Sequence, residues 1–392
     1  MKNKFNQILY TILTLILLLV GTKVSASEID FELTAKSAVL MEAETGEIIF
    51  EKNSDEQLPP ASMTKIMTML LVMEAIDEER VNLDDKIVTS ENAASMGGSQ
   101  IWLEPGEEMT LKDLMKAIAI VSANDACVAV AEHLYGTEEN FVNKMNEKVE
   151  ELGLENTSFY NTNGLPSGDD ETQGNYTSAK DLAIMSRELL KYPKILEWTS
   201  TWIDYLRDGD SVLNNTNWLV RHIPGADGLK TGFTSEAGHC VTGTAKRGDL
   251  RFVSVIMDAE SSKARFSEAA DLISYGFNIY ETSTLAEADE VIDTIYINNA
   301  SNPETEIVVK DKLTIPVKKG SEADINKEIK ISEELKAPLE KGDKAGVIKV
   351  YKGNLLIKEA DLVVNRDVSK ASIWKLFIRM IKNLIEGMLN IF

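Results

Sequence analysis

The sequence has few cysteines and prolines and no surplus of basic residues. Two cysteines among 392 residues allow at most one bridge, which excludes a disulfide framework. Nine prolines and 23 glycines, with 44% hydrophobic and 27% charged residues, exclude a collagen-like, low-complexity or wholly disordered chain. Because 41 basic residues stand against 63 acidic ones, the net charge is −22, which argues against nucleic acid as a partner. The composition indicates an acidic folded protein with room for two or three domains.

Several catalytic signatures are also missing. Only three histidines occur, His133, His222 and His239, and there is no Gly-x-Ser-x-Gly sequence, so a serine–histidine–aspartate hydrolase is not indicated. Zinc chemistry would need clustered ligands such as His-x-x-x-His with a third ligand, and the sequence has no such cluster. The chain also has no phosphate-binding or dinucleotide-binding glycine motif. We therefore expect no metal or other cofactor.

The first 26 residues have the pattern of a secretory leader. Their charged side chains are all lysines, and an apolar run extends from Ile8 to Val20. The small residues at 24–26 fit cleavage after Ala26, and the run is short for a transmembrane helix. Residues 1–26 are predicted to be a signal peptide that exports the protein, with an uncleaved anchor as the alternative.

The last 22 residues, 371–392, have the periodicity of an amphipathic helix. A helix with aromatic residues on one face and basic residues on the other is typical of a segment that lies in a membrane interface. Its four charges disfavour a helix that spans the membrane. The alternative is a helix that docks on the protein's own core. The apolar stripe comprises Trp374, Phe377, Ile378, Ile381, Leu384, Ile385, Met388 and Phe392.

The body between these ends divides into two parts with different patterns. From 27 to 281, a predicted hairpin at 37–51 precedes several helices, two strands and a last helix, which indicates one sheet with helices packed on it and a helical insertion. From 282 to 370, β-branched residues alternate with charges, which indicates a small antiparallel β-domain. Helices are expected at 62–76, 111–122, 126–134, 138–152, 179–191 and 262–279, and strands at 238–244 and 250–258.

Ser62 and Lys65 form a Ser-x-x-Lys pair at the start of the first predicted helix. Residues three apart share a helix face, so the lysine amine would lie beside the serine hydroxyl. A serine hydroxyl is a weak nucleophile until a base takes its proton, and a buried lysine with a lowered pKa can be that base. The first N–H groups of a helix can also bind a developing oxyanion. By itself, so short a motif occurs by chance.

Two further motifs follow in chain order. Ser122 and Asn124 come after an apolar helix, where these residue types favour a loop or a cap. Lys230, Thr231 and Gly232 follow a turn-rich segment and enter a predicted edge strand. Each motif has an ordinary structural explanation. Ser-x-x-Lys, Ser-x-Asn and Lys-Thr-Gly in this order nevertheless form a strong joint signal for serine acyl transfer.

The three motifs and their surroundings resemble the serine D-alanyl-D-alanine carboxypeptidases, low-molecular-mass penicillin-binding proteins of the penicillin-binding protein 5 type. The resemblance covers nearly the whole chain and includes the segments 60–65, 122–126 and 227–234. It implies an α/β (α+β) penicillin-binding, β-lactamase-like transpeptidase domain at 27–281, built on an antiparallel sheet flanked by helices with a helical subdomain. A small all-β sandwich domain would follow at 282–370, and an amphipathic membrane-anchor helix at 371–392.

The resemblance also implies an activity and its partners. The expected enzyme removes the terminal D-alanine from peptidoglycan pentapeptides through an acyl-enzyme, and β-lactam antibiotics inhibit it covalently. It would act on the extracytoplasmic face of the bacterial cell membrane, with the C-terminal helix on the membrane surface.

Carried over by motif, Ser62 would be the acylated nucleophile and Lys65 its base. Ser122 would relay a proton to the leaving amine, and Asn124 would orient the substrate peptide and the Lys65 amine.

The third motif and Phe233, which follows it, would bind substrate. Lys230 and Thr231 would hold the terminal carboxylate of D-alanine, and Gly232 would leave room for substrate along the strand. The backbone N–H groups of Ser62 and Phe233 would form the oxyanion hole, and the bulk of the Phe233 side chain would affect which substrates or antibiotics fit.

A serine β-lactamase shares the three motifs and is the nearest alternative. The Glu-x-x-x-Asn sequence that such an enzyme uses for deacylation has a textual match at Glu139 and Asn143, which we interpret as an exposed helical pair. A catalytically idle peptidoglycan-binding scaffold is the second alternative, and the intact Ser62, Lys65 and Lys230 argue against it.

The two cysteines fall close to the second and third motifs in the sequence. Cys127 lies five residues after Ser122, and Cys240 lies eight residues after Gly232. Neither spacing nor export requires a bridge, so we expect two buried thiols.

Overall fold

A computed structural model describes residues 31–166, 174–320 and 325–389. From residue 34 onward, the described residues belong to one compact unit. The leader predicted at 1–26 lies outside the described residues, so it stays a prediction.

Five strands form the central antiparallel sheet. Their order is β2-β1-β9-β8-β7, which places β7 at an edge. The hairpin predicted at 37–51 is β1 and β2, and the edge strand predicted for Lys230–Gly232 is β7. Two short antiparallel pairs, β3 with β4 and β5 with β6, lie outside this sheet. The strands up to residue 259 are β1 (Ser37–Glu42), β2 (Ile48–Lys52), β3 (Lys86–Val88), β4 (Glu108–Thr110), β5 (Ile203–Leu206), β6 (Ser211–Asn214), β7 (Ala226–Thr234), β8 (Gly238–Arg247) and β9 (Leu250–Ala259).

Capping side chains mark the start of several helices. Thr110, Thr137, Ser178 and Ser261 each accept a hydrogen bond from the N–H three residues later, which satisfies a free donor at the start of four helices. The helices predicted at 138–152 and 262–279 have the predicted bounds. The helices are α1 (Lys65–Asp77), α2 (Glu91–Ala94), α3 (Leu111–Ile120), α4 (Asn124–Tyr135), α5 (Glu138–Leu152), α6 (Ala179–Leu189), α7 (Ile195–Thr199), α8 (Leu219–His222), α9 (Ser262–Ile279) and α10 (Ile373–Leu389).

Helices cover both faces of the central sheet. Alternate residues of a strand point to opposite faces. On β9, Val253 and Val255 belong to the core that includes α1, whereas the Phe252 ring lies against Gly276 of α9. This is the sheet flanked by helices that the sequence indicates.

The start of the first long helix differs from the prediction. Ala61–Thr64 form a 3-10 turn, and α1 begins only at Lys65. Ala61 has a left-handed φ of +48°, which turns the chain sharply just before Ser62. Ten of the 13 residues of α1 are buried, so this helix runs through the domain core. Ser62 is therefore held on a tight turn at the end of a buried helix.

The second part of the chain is all-β, as predicted. Strands β11, β12, β16, β15 and β14 form one antiparallel sheet in that order, and β10 pairs with β13. The two sheets share a core that includes Ile315 and Leu362, so the domain has two layers. A tight turn that contains Gly353, at a φ of +59°, joins β15 to β16. The strands are β10 (Tyr280–Ala286), β11 (Val291–Tyr296), β12 (Glu304–Val309), β13 (Leu313–Lys318), β14 (Ile325–Ile331), β15 (Lys344–Lys352) and β16 (Leu355–Val364).

Two basic side chains of helix α10 contact the β-rich domain. Arg379 donates hydrogen bonds to the carbonyls of Asn298 and Ala300, both at 3.0 Å, and Lys375 bonds the Ser301 hydroxyl at 2.8 Å. The side chains of the apolar stripe from Trp374 to Ile385 are exposed, Trp374 to 70%. Within the described ranges, no helix is both long and apolar enough to cross a bilayer.

Candidate active site

The Lys65 amine lies beside the Ser62 hydroxyl. Lys65 Nζ and Ser62 Oγ are 2.9 Å apart, because the 3-10 turn leads directly into α1 and brings the two side chains together. The Lys65 side chain is fully buried, whereas Ser62 is half-buried and can be reached from the surface. Burial lowers the pKa of Lys65 to about 8, against opposing effects of Cys127 and Asp125. About a tenth of this amine is therefore neutral at pH 7, far more than for an ordinary lysine.

Two further oxygens surround the Lys65 amine. Nζ is 2.7 Å from Asn124 Oδ1 and 2.8 Å from the backbone carbonyl of Asn163. A neutral amine has two N–H donors and one lone pair. If the donors serve Asn124 and Asn163, the lone pair is left to accept the proton of Ser62. The arrangement suits a lysine that acts as a base.

The second motif lies on the turn between α3 and α4. Ser122 has a left-handed φ of +65°, and its buried hydroxyl has no hydrogen-bond partner among the described residues. Asn124 begins α4, and its Nδ2 donates to the Gly97 carbonyl at 2.7 Å. That bond leaves Asn124 Oδ1 directed at Lys65. The sequence therefore places Ser122 correctly on a turn, although α4 starts two residues earlier than predicted.

The third motif lies on edge strand β7. Lys230 is 1% exposed, and its Nζ donates to the Thr231 carbonyl at 3.1 Å. Burial holds the pKa of Lys230 well below its usual range, and the nearby charges of Lys65 and Arg265 lower it further. The Thr231 hydroxyl donates to Thr216 Oγ1 at 2.8 Å. In the free protein the charged form of the Lys230 amine is therefore disfavoured, and a bound anion would stabilise it.

Gly232 has a role in the packing of the fold, and its expected role in leaving room for substrate stays a prediction. A Cβ at this position would lie 2.7 Å from the Pro60 carbonyl and 3.3 Å from the Ala61 Cβ. The missing side chain therefore allows β7 to pack against the turn that carries Ser62. The Arg265 guanidinium, on α9, donates to the Gly232 carbonyl at 2.9 Å and to the Cys240 carbonyl at 3.2 Å.

Phe233 forms an aromatic surface at the end of the third motif. Its ring is 57% exposed and stacks on His239, with centroids 4.5 Å apart and planes inclined by 26°. Burial and the Arg265 charge lower the pKa of His239. The pair presents a flat, uncharged surface beside Gly232.

Sequence reasoning missed three groups at this site. The Asn163 carbonyl belongs to the backbone and so has no residue signature. Thr216 and Arg265 lie 15 and 34 residues from Thr231 in the chain, in no recognisable motif. A buried arginine on the inner face of an amphipathic helix was the available signal for Arg265.

Both cysteines are free and buried, which confirms the expected pair of thiols. Burial raises the pKa of Cys127 to about 12 and that of Cys240 to about 11. Neither thiol is therefore an activated nucleophile. Glu139 and Asn143 are exposed on α5, in agreement with their interpretation as a surface helical pair.

A serine hydroxyl with a buried amine beside it, next to an edge strand of a helix-flanked antiparallel sheet, defines a serine acyl-transfer enzyme of the penicillin-binding class. The comparisons agree. The D-alanyl-D-alanine carboxypeptidase family model (peptidase S11) matches residues 22–261, and the penicillin-binding protein 5 C-terminal domain model matches residues 280–370.

Individual relatives give the same result. The D-alanyl-D-alanine carboxypeptidase DacF of Bacillus subtilis is 43% identical over 341 residues, which are 86% of each chain. The crystal structure of penicillin-binding protein 5 from Haemophilus influenzae is 30% identical, with a TM-score of 0.64, over 87% of this chain and 99% of that one. The ampicillin-bound penicillin-binding protein D2 of Listeria monocytogenes is 34% identical, with a TM-score of 0.57, over 63% of this chain and 99% of that one.

The chain belongs to the D-alanyl-D-alanine carboxypeptidase family of serine peptidases. It is a D-Ala-D-Ala carboxypeptidase of the serine penicillin-binding type, with a C-terminal β-rich domain, and neither a β-lactamase nor an idle scaffold is favoured. Members of this family are cell-wall enzymes that act outside the cytoplasm.

Proposed function

We propose that Ser62 is the residue that is acylated and that Lys65 is its base. The observation that carries this proposal is the 2.9 Å contact between Ser62 Oγ and a buried amine whose pKa is lowered to about 8. As Ser62 Oγ bonds to the carbonyl carbon of the D-Ala-D-Ala peptide bond, its proton passes to Lys65 Nζ. Burial thus supplies a base that loses its proton near pH 8 and not near the usual pH of a lysine.

The leaving group needs a proton, and Ser122 would relay it. The support is its buried hydroxyl, which has no hydrogen-bond partner among the described residues and can therefore take one when substrate binds. When the C–N bond breaks, the proton goes to that nitrogen and free D-alanine leaves. Water then attacks the ester carbon, and Ser62 recovers its proton while the shortened peptide leaves as the acid. Asn124 orients the Lys65 amine through Oδ1 during both steps.

Lys230 and Thr231 would bind the free carboxylate of the substrate. The Lys230 amine is desolvated in the free protein, so a full negative charge beside it restores its charged form. An internal peptide bond has no such charge, which accounts for a preference for a free C-terminus. The N–H groups of Ser62 and Phe233 would hold the oxyanion, and one such donor typically lowers a barrier by about 3–4 kcal/mol.

A fluorescent penicillin tests the assignment. We expect the wild-type protein to form a long-lived adduct that peptide mapping places on Ser62, and Ser62→Ala to form none. Full labelling of the alanine variant would refute the nucleophile. Rapid turnover of the penicillin in place of a stable adduct would favour the β-lactamase alternative.

We also propose that the protein is exported by its leader and held at the membrane surface by residues 371–392. The support is the exposed apolar face of α10, whose Lys375 and Arg379 are bonded to the β-rich domain, so that the apolar side chains remain available to lipid. Removal of 371–392 should abolish sedimentation with anionic lipid vesicles. Equal sedimentation of the full and truncated proteins would contradict this role.

A further inference from the structure

The buried side chain of Asn175 joins two segments of the active site. Its Oδ1 accepts hydrogen bonds from the N–H groups of Tyr160 at 2.6 Å and Asn161 at 3.0 Å. Its Nδ2 donates to Thr64 Oγ1 at 2.9 Å and to the Asn161 carbonyl at 3.1 Å. Thr64 is the last residue of the turn that carries Ser62. One amide therefore holds the 160–161 segment against that turn.

The segment held in this way continues to the carbonyl that contacts Lys65. Asn161 Oδ1 accepts the N–H groups of Asn163 at 3.2 Å and Gly164 at 2.7 Å, which folds the chain into a tight loop. The Asn163 carbonyl then lies 2.8 Å from Lys65 Nζ. The contacts run from Thr64 through Asn175 and Asn161 to the base, and each one is a hydrogen bond of ordinary length.

Other side chains hold the same loop without contacting the Ser62 turn. Thr162 donates to the Glu138 carboxylate through its N–H at 3.1 Å and its hydroxyl at 2.7 Å. The Thr68 hydroxyl donates to the Thr162 carbonyl at 2.6 Å. Because these bonds do not depend on Asn175, the loop should stay folded when Asn175 is changed.

We propose that Asn175 is a positioning residue for the acylation step, because it fixes the Asn163 carbonyl relative to Ser62 and so orients the Lys65 amine. The inference rests on the proposed role of Ser62 and Lys65. Asn175 contacts neither the hydroxyl nor the amine, so its effect is on the rate at which the base acts and not on the binding of substrate.

Asn175→Ala tests this by separating acylation from binding. With a fluorescent penicillin in stopped flow, we expect the first-order acylation rate constant to fall about 10- to 100-fold, since a displacement of about 1 Å in a reacting group has an effect of that order. The dissociation constant of the initial complex should stay within about twofold, because Lys230 and Thr231 are unchanged. The fraction of protein that is eventually labelled should also equal that of the wild type.

Asn299→Ala is the matched control. Asn299 makes a similar double amide contact with Ala337, at 2.8 and 2.9 Å, in the β-rich domain. Its loss should leave the acylation rate constant unchanged. An unchanged rate constant in Asn175→Ala, or a loss confined to binding or to the labelled fraction, would overturn the proposal.

Thr64→Val provides a second test that keeps the buried volume nearly constant. It removes the Thr64 hydroxyl, one of the acceptors of Asn175 Nδ2, and should slow acylation in the same way. The double variant, with both Thr64→Val and Asn175→Ala, should be no slower than Asn175→Ala. Additive losses or an unaffected Thr64→Val would refute the linkage. If the wild-type protein were not labelled at Ser62, the proposed function itself would fail, which is a distinct outcome.

Discussion

Gly164 is the position where one methyl group should do most damage to the active site. Its φ is +86°, and an ideal Cβ would lie 1.8 Å from the Ala61 carbonyl oxygen and 2.3 Å from the Ala61 carbonyl carbon. Those are backbone atoms of the turn that carries Ser62, so no side chain can rotate away. In Gly164→Ala the two segments must separate by roughly 1.5 Å before an ordinary contact is restored.

Two effects of the substitution can be distinguished. The left-handed backbone alone costs an L-residue about 1–2 kcal/mol of stability. The separation moves either Ser62 or the Asn163 carbonyl away from Lys65, and a shift of about 1 Å in a reacting group can reduce the rate about 100-fold. We therefore expect Gly164→Ala to show a modest loss of stability and a fall of at least about 100-fold in the rate of penicillin acylation.

Gly136→Ala isolates the backbone effect. Gly136 has a φ of +82°, and nothing lies within 4 Å of the position of its Cβ. Thermal unfolding should show a loss of stability in both variants, whereas the acylation rate should fall only in Gly164→Ala. If both variants were acylated at the same rate, the close contact between the loop and the Ser62 turn would have no catalytic importance.

Three further predictions concern the base, the carboxylate site and the thiols. The acylation rate should rise with pH through about 8, where buried Lys65 loses its proton, and a flat profile between pH 7 and 9 would refute the role of Lys65 as the base. Lys65→Arg should lower the acylation rate about 10²- to 10⁴-fold. Thr216→Val removes the acceptor of the Thr231 hydroxyl and should raise KM for a peptide ending in D-Ala-D-Ala about 3- to 10-fold with little change in kcat; an unchanged KM would argue against this support. A thiol reagent should titrate two cysteines in the denatured, unreduced protein, whereas none would react if they were bridged.

The parts of the site that lie on short motifs could be predicted from the sequence. Residues three apart on a turn or helix are neighbours wherever the chain goes, so Ser62 and Lys65 were certain to be close. The strand that carries Lys230 was predicted from the turn-rich segment before it, and its position at the edge of the sheet agrees with the prediction. The hairpin at 37–51 and the helices at 138–152 and 262–279 could be predicted because turn residues and capping side chains mark their ends.

Other parts depended on contacts between distant segments. The 3-10 turn at Ala61–Thr64 packs against β7, where Gly232 approaches the Pro60 carbonyl, and periodicity does not report such a contact. The Asn163 carbonyl reaches Lys65 from 98 residues away. Arg265 supports Gly232 through its guanidinium from α9. Backbone acceptors and long-range supports have no local pattern, so only the folded chain reveals them.

The most direct test of the central claim is the release of D-alanine from a pentapeptide that ends in D-Ala-D-Ala. The account predicts that the wild-type protein releases one D-alanine from each peptide and that Ser62→Ala, folded as shown by an unchanged thermal unfolding transition, releases none above background. Release by Ser62→Ala at the wild-type rate would contradict it.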